Sequence, residues 1–541
     1  MQLLDARRLT GPNHLAPFPL VLVELGLAQG ETVARAEAAY LAELVRMRGA
    51  LGLSTDIELV GRAHRGGVVF GYAAPIDVML PLADVSEWAA ESACAVLSGA
   101  APHPLEPKRT EFAELLDAAK NPPLLALEAA AFERDMPFLW DDEKVSIGLG
   151  RKSLTFDRNA IPDVESIDWS EIGKIKVALV TGTNGKTTSS RLLAHIGRCA
   201  GIIVGSTSTD FVRVGDTILQ RGDWTGPSAA RVVLRHPEVQ LAVLETARGG
   251  ILRRGLAIEQ CDAALVTNVA VDHVGGYGID DLNAMTRVKG VVAEAVVPEG
   301  TVVLNAADPH LVAFAEGVAA SVAFFANLDG SDARTQAAGR VIAEHIDCGG
   351  SAVFARNGEI VSIQAGTGTR TTFGRVADAP ITFGGAAAYN VENVLGAVAM
   401  AQALWVDDTS IVRGLRTFTM AENPGRGQFI EKNGVQILLD FGHNTDGILA
   451  VMQLVQKLRE ARGRGGKLTV IAGSPGDRTD ADLEDMVRAI ASGKPDRVIV
   501  RELPKYLRGR TLGEIPAIFR RVLVAEGLAD EAFEQVEGEV A

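Results

Sequence analysis

Residues Val177–Ser189 read V-A-L-V-T-G-T-N-G-K-T-T-S, an apolar β-branched run that ends in a glycine-rich turn and passes into Lys-Thr-Thr. The amphipathic run Ser190–Ile196 follows, so the order is strand, turn, helix. Backbone N–H groups of such a turn, together with the helix N-terminus, wrap a polyphosphate without side-chain bulk. The spacing places Gly182, Thr183, Asn184, Gly185 and Thr188 in the cradle, Lys186 on the outer phosphates and the Thr187 hydroxyl on Mg²⁺. The common form of this loop has Gly at position 180, where this chain has Val180. The compact G-T-N-G-K-T-T form points to a narrower set of enzymes than ATPases at large.

Other residues with chemical potential follow at strand ends. Glu245 closes the apolar run Leu241–Leu244, and a carboxylate at the end of a buried strand beside a phosphate loop is where a Mg²⁺ ligand belongs. Thr267-Asn268-Val-Ala-Val-Asp272-His273 lies just past another strand and faces the same crevice, giving the Asp272-His273 pair ligand or orienting roles and placing Asn268 among the cofactor-binding residues. Tyr389-Asn390-Val-Glu-Asn393 offers paired amides for an adenine edge or a phosphate, although Asn at a helix start is usually a cap. The Arg426 guanidinium in Asn423-Pro-Gly-Arg426 suits bidentate clamping of phosphate. Asp440-Phe-Gly-His443-Asn444 ends a strand of the last domain, and Gly473-Ser-Pro-Gly-Asp-Arg478 is either a further crevice motif or a plain turn. Lys289, within a helical stretch, reads on its own as a surface lysine.

The elements that must hold these groups alternate strand and helix from Ile175 onward, with apolar strands Val177–Val180, Leu241–Leu244, Ala263–Thr267 and Val302–Leu304. That is the pattern of a parallel sheet covered on both faces. A β-rich, Gly/Thr-rich piece from 351 to 383 precedes a helix at about 390–404. The chain of 541 residues fits about three domains. The expected α/β architecture is a small α+β N-terminal domain (1–165), a central P-loop domain with a parallel sheet (166–420) and a C-terminal Rossmann-like α/β domain (421–541). The polar stretch 157–174, with Pro162, reads as a linker, and 421–427 as a hinge.

Aromatic residues make up 5% of the chain and the net charge is −15, which disfavours a base-stacking platform or a phosphate-backbone partner. Neither disfavours a small anion captured by local dipoles and a metal. Cys94, Cys199, Cys261 and Cys348 are scattered, with no C-x-x-C pair, so disulfides and zinc are not expected and a reducing cytoplasm is. Neither a signal-peptide core nor a bilayer-spanning run is evident.

Taken together, the G-T-N-G-K-T-T loop, Glu245, T-N-V-x-x-D-H at 267–273, Lys289, Y-N-x-x-N at 389–393, P-G-R at 424–426 and D-x-x-H-N at 440–444 resemble the Mur ligase family of ATP-dependent ligases. The resemblance runs from about Ile175 to the C-terminus. Within it, Asp223-Trp-Thr-Gly-Pro, Glu245-Thr-Ala-Arg-Gly-Gly and Pro475-Gly-Asp-Arg are similar to the Mur-like half of the cyanophycin synthetases. The N-terminal Leu9–Asn13 and the stretch around Phe132-Glu-Arg-Asp-Met-Pro resemble that branch more weakly. That branch inserts an ATP-grasp domain where this chain has only the linker. Phe441-Gly442 and Thr445 replace the family's usual Tyr-Ala and Pro.

The resemblance implies ATP and Mg²⁺ as cofactors and amide formation through an acyl phosphate. It implies that Thr187 and Glu245 hold one Mg²⁺, that His273 and Lys289 serve a second, with the lysine carbamylated in many relatives, and that Asn393 meets adenine. Arg426 would meet the phosphates, and Asp440, His443 and Asn444 would close the site. Catalytic roles fall to Lys186, His273, Lys289, Arg426 and His443. The expected substrates are an amino acid, arginine or lysine favoured, and an aspartyl-type carboxylate, giving a small isopeptide or a modified chain. No nucleic-acid or membrane partner is expected; a homo-oligomer is compatible with the resemblance. The other readings are a Mur-type ligase with a folate, cell-wall or secondary-metabolite acceptor, and a non-catalytic ATP-binding subunit.

Overall fold

In the computed structural model, which describes residues 1–272, 276–461, 463, 466–502 and 504–538, the apolar runs of the middle of the chain lie side by side as buried strands. The 11-stranded sheet runs, in order, Thr217–Arg221, Phe211–Val214, Val204–Thr207, Leu241–Glu245, Lys176–Thr181, Cys261–Val266, Val296–Asn305, Ser321–Asn327, Ser351–Arg356, Glu359–Ile363 and Arg370–Arg375. Its centre is parallel, and antiparallel hairpins finish both edges. The β-rich piece expected at 351–383 is therefore one end of this sheet, joined to it through parallel pairing of Ser321–Asn327 with Ser351–Arg356.

Helices cover both faces, as continuous Val/Leu/Ala strands require. Leu192 and Ile196 of helix Lys186–Cys199 pack with Leu395 and Val398 of helix Ala388–Ala403 on one side. Val233, Ile251, Met285 and Val288 of helices Pro227–Leu234, Arg248–Arg254 and Leu282–Glu294 pack on the other. Adjacent parallel strands ending at Thr181, Glu245 and Val266 bring their following loops to one crevice, the usual ligand edge of such a sheet.

The N-terminal part forms a four-stranded antiparallel sheet, Gln2–Leu9, Leu20–Gly26, Gly67–Tyr72 and Val60–His64 in that order. Helices Val33–Ala50 and Met79–Leu97 cover it through Tyr40, Leu44, Leu82 and Trp88. The stretch read as a polar linker is tacked onto this core by Ile167 and Ile172, with Trp169 packed alongside. Its few apolar side chains outweigh its polar majority, because only they are buried. Thr10 N donates to Arg254 O at 2.7 Å and Leu256 N to Pro12 O at 2.8 Å. Gly11 lies so close to the Leu256 carbonyl that any side chain there would overlap it.

Helix Pro122–Glu133 carries Glu128 to this boundary. Burial, the Glu259 carboxylate and Asp77 push the Glu128 carboxyl up to about 7, from an ordinary value of 4.5. A carboxyl raised on folding stabilises fully below its unfolded value and loses that contribution as pH rises through its folded one. Stability should thus fall between pH 4.5 and 7 on this account. Discounted for partial exposure, the loss is about 1–2 kcal/mol. Glu128→Gln is expected to raise the melting point by about 2–4 °C at pH 8 and by less than about 1 °C at pH 5. Equal shifts at both pH values, measured by calorimetry, would refute the assignment.

Beyond the hinge, the hairpin Gln428–Lys432/Val435–Leu439 stands apart from a three-stranded parallel sheet of Thr469–Ala472, Arg497–Glu502 and Phe533–Glu537. Helix Thr445–Ala461 joins the two, and helix Asp480–Ser492 opens with a capping box between Thr479 and Asp482. Among the described residues no helix is long and apolar enough to cross a membrane.

Candidate functional site

The turn after strand Lys176–Thr181 is built from glycines in conformations that other residues resist. Gly182 has φ +146° and lies against Thr267, and Gly185 has φ +89° and lies against the Asn393 amide, so a side chain at either position would overlap its neighbour. The cradle is laced to the next loop. Asn184 N donates to Asn268 Oδ1 at 2.9 Å, Asn268 Nδ2 returns a bond to Asn184 O at 3.0 Å, and Thr183 N donates to Asn268 O at 2.9 Å. Asn268 thus shapes the loop with both ends of its amide.

Lys186 folds back so that Nζ donates to Gly182 O at 3.0 Å and Thr183 O at 2.9 Å. An ammonium has three donors, so one N–H remains for a ligand. Enclosure lowers the Lys186 pKa, with the Glu245 and Asp272 carboxylates opposing that shift. Glu245, 2% exposed, accepts from the Thr187 hydroxyl at 3.0 Å and the Thr209 hydroxyl at 3.0 Å. Burial raises its carboxyl, while Lys186 and the two hydroxyls pull it down. Thr209 escaped the sequence reading. Its signal was available, since it stands two residues past the end of strand Val204–Thr207 at the same sheet edge.

A cavity of about 1030 Å³ opens over this floor. Thr183, Asn184, Gly185, Lys186, Thr187, Thr188, Glu245, Asn268, Asn393, Arg426, Asp440 and His443 all line it. The predicted residues Gly182, Asn390, Asn444 and Lys289 stand outside that lining. Asn390 is 1% exposed and donates to Ile381 O at 2.8 Å while accepting from Asn393 Nδ2 at 3.1 Å. It buttresses Asn393, whose Oδ1 in turn accepts from the Ser189 hydroxyl at 3.4 Å. The same helix turn brings Glu392 into the cavity wall, where it accepts from Asn305 Nδ2 and Arg334 Nη2, each at 3.2 Å; sequence reading passed it over. Lys289 is 4% exposed in helix Leu282–Glu294, and burial, then the charge of Lys186, hold its pKa well below the ordinary lysine value. His273 lies outside the described residues.

The last domain contributes the roof. Asp440 accepts from the backbone N–H groups of Gly427 at 2.7 Å and Gly442 at 2.8 Å, tying the hinge to the strand end. Arg426 stacks over the Phe441 ring at 4.2 Å and reaches Asp210 at 3.7 Å. Asn184 and Asn444 exchange both amide bonds, Asn184 Nδ2 to Asn444 Oδ1 at 3.2 Å and Asn444 Nδ2 to Asn184 Oδ1 at 3.0 Å. Asp272 meets Arg478 Nη2 at 3.3 Å and His443 Nε2 at 3.5 Å.

The arrangement fits a nucleoside polyphosphate with Mg²⁺. The cradle fills with backbone N–H groups where side chains are excluded, and among the described residues one Lys186 donor is uncommitted. Among the described residues no group of three or more His, Cys, Asp or Glu gathers as a metal site. A Mg²⁺ here would rest on Glu245 and Thr187 with phosphate and water oxygens, the mixed shell this cation favours.

A family model described as "Mur ligase middle domain" matches residues 180–401, and one described as "Mur ligase, glutamate ligase domain" matches 425–536. The chain is 42% identical over 359 residues to the cyanophycin synthetase of Synechocystis sp., covering 65% of this chain and 39% of that protein. It is 24% identical over 337 residues to UDP-N-acetylmuramoyl-L-alanyl-D-glutamate--2,6-diaminopimelate ligase of Chlorobaculum tepidum, covering 60% of this chain and 61% of that one. A crystal structure of MurF from Acinetobacter baumannii superposes with a TM-score of 0.45 at 19% identity over 67% of each chain. The chain thus spans about two fifths of the length of the cyanophycin synthetases it matches.

Proposed function

Since the chain belongs to the Mur ligase family through its middle and C-terminal domains, we propose that it is an ATP-dependent, ADP-forming acid–amino-acid ligase, joining an amine to a carboxylate through an acyl phosphate. The observation that carries this reading is the floor of the cavity: the Lys186 ammonium bonded to two loop carbonyls with one donor left, beside the buried Glu245 carboxylate. A carboxylate is a poor electrophile, and its approach to a phosphate sets two anions against each other. Lys186 neutralises that repulsion at the phosphoryl group in transfer. A cation held by Thr187 and Glu245 would supply further positive charge when bound. Arg426 offers a second side-chain cation, a guanidinium, from the side of residues 421–427, and its stacking on Phe441 fixes its plane. Contact of His443 with Asp272 and of Asn444 with Asn184 closes the last domain on the central one, which shuts out water that would hydrolyse an activated acyl group.

The likeness to cyanophycin synthetases favours an aspartyl-type carboxylate and a basic amino acid, arginine or lysine, over folate or cell-wall acceptors. The test is phosphate release from purified protein with ATP and Mg²⁺ across a matrix of amino acids and carboxylate acceptors. Stimulation confined to a basic amino acid with an aspartyl compound is the expected result. Stimulation by a different pair would replace the substrates and keep the chemistry; no stimulation by any pair would overturn the ligase reading.

A further inference from the structure

The helix that opens in the phosphate loop, Lys186–Cys199, grips the segment 421–427 at successive turns. Asn423, fully buried, donates from Nδ2 to the Thr188 hydroxyl at 3.2 Å and accepts at Oδ1 from Arg191 Nη1 at 3.3 Å. The same Arg191 nitrogen donates to Pro424 O at 3.3 Å. Farther along the helix, Arg198 Nη2 donates to the Glu422 carboxylate at 2.7 Å, and Arg213 of strand Phe211–Val214 adds a bond at 2.9 Å. Asn423 also brackets the turn that carries Arg426. Its carbonyl accepts from Arg426 N at 3.3 Å, and its Nδ2 donates to Arg426 O at 3.4 Å. Arg426 therefore leaves the backbone at a place set by the phosphate-loop helix.

Charge is divided unevenly at the same spot. The Arg191 guanidinium, its side chain 4% exposed, stacks over the Phe211 ring at 4.7 Å and is paired with the Asp210 carboxylate. Arg426 Nη2 lies 3.7 Å from the same carboxylate oxygen. Two guanidiniums thus face one oxygen, and Arg191 holds the nearer contact. Arg426 keeps a bond to Gly425 O at 3.3 Å and its place on the Phe441 ring. The Asp440 carboxylate, whose charge Arg426 also feels, is committed to the N–H groups of Gly427 and Gly442. The fork of Arg426 is therefore open to a bidentate anion. Without Arg191, the natural partner for that fork would be Asp210.

We propose that Arg191 is a positioning residue that keeps Arg426 available to a phosphate: it occupies the Asp210 carboxylate, which would otherwise draw Arg426 aside, and through Asn423 it fixes the turn from which Arg426 reaches the cavity. Arg191 itself stands outside the cavity lining. Its partners lie 19 and 232 positions away, so its place on an amphipathic helix gave the sequence no sign of this role. Only the identity of the anion as a phosphate rests on the ligase reading.

The Kd of a fluorescent ATP analogue with Mg²⁺, measured on the full chain, tests this. Arg426→Met sets the scale, with binding expected to weaken by about tenfold to a hundredfold. Arg191→Met should weaken it by about tenfold although Arg426 is still present. Adding Asp210→Asn to Arg191→Met should recover about threefold or more of that loss, because the competing charge is gone. A merely structural Arg191 predicts the reverse, the second substitution adding to the damage. Wild-type affinity in Arg191→Met, or a double variant no tighter than Arg191→Met, would overturn the proposal. If Arg191→Met does not fold, Asp210→Asn alone decides: the analogue should bind about twofold tighter or more, and unchanged or weaker binding would overturn it. Should Arg426→Met bind like the wild type, the phosphate role of Arg426 falls with that part of the ligase reading. The crystal structure of Arg191→Met then decides, with Arg426 turned onto Asp210 as the expected result and an unmoved Arg426 as the overturning one.

Discussion

Lys186→Ala is expected to lower ATP-dependent phosphate release by at least about a thousandfold while moving the melting point by no more than about 2 °C. The two halves of that result have different causes. Lys186 Nζ is tied to Gly182 O and Thr183 O, so its loss removes the one side-chain cation that the phosphate loop itself supplies. No other lysine or arginine of the loop can replace it, because Arg191, on the same helix, is paired with Asp210. Stability is spared because enclosure lowers the Lys186 pKa, meaning that the folded state holds this charge at a cost. Removing the charge offsets the lost carbonyl bonds. Phosphate release is read by a coupled assay and folding by calorimetry on the same preparation. A variant that keeps normal turnover would remove Lys186 from the mechanism; one that fails to fold would make it a structural lysine instead.

The second large effect is at Glu245. Glu245→Gln keeps shape and at least one hydroxyl bond but removes the charge, and should reduce kcat about a hundredfold or more while raising the Mg²⁺ concentration for half-maximal rate. Glu245 is 2% exposed and held by the Thr187 and Thr209 hydroxyls, so its carboxylate cannot swing away and a new ligand cannot swing in. Burial raises its carboxyl, so the neutral amide suits the unliganded pocket and the fold should survive. A Mg²⁺ titration of the variant decides the matter. A lowered rate with an unchanged Mg²⁺ requirement would assign Glu245 to orienting Thr187 rather than to holding a cation.

Much of this site was legible because a parallel sheet puts every strand end at one edge. Strand boundaries alone brought Gly182–Thr188, Glu245 and Asn268 together, and the pairing of Leu241–Glu245 and Cys261–Val266 with Lys176–Thr181 is the register that does it. The helix expected at about 390–404 appears as Ala388–Ala403. Residues that act across long sequence separations were harder to see. Thr209 is ordinary until it is found 3.0 Å from Glu245, and Arg478 belongs to a motif that reads equally as crevice or turn until it meets a carboxylate 206 positions away. Asn390 and Asn393 share a helix turn, yet only Asn393 reaches the cavity, because a helix points residues three apart along one face but not to equal depth. The β-rich piece at 351–383 was legible as strands within the central domain, but not the strand it joins, because alternation reveals strands and not the neighbour they pair with.

The reciprocal bond between Asn184 and Asn444 has a consequence for how the protein tolerates its surroundings. Two carboxamides facing each other form a cyclic pair in which each is donor and acceptor at once, and neither carries charge or titrates. Such a pair keeps its strength at any ionic strength and across the pH range in which imidazole and carboxylate change form. The neighbouring contact of Asp272 with Arg478 is Coulombic; with its side chains 14% and 6% exposed, salt screens it less than a surface pair but more than the uncharged one. The seam between phosphate loop and roof is thus held by one fastening that medium composition leaves alone and another that it tunes. Register is set by the first, and the tightness of the fit by the second.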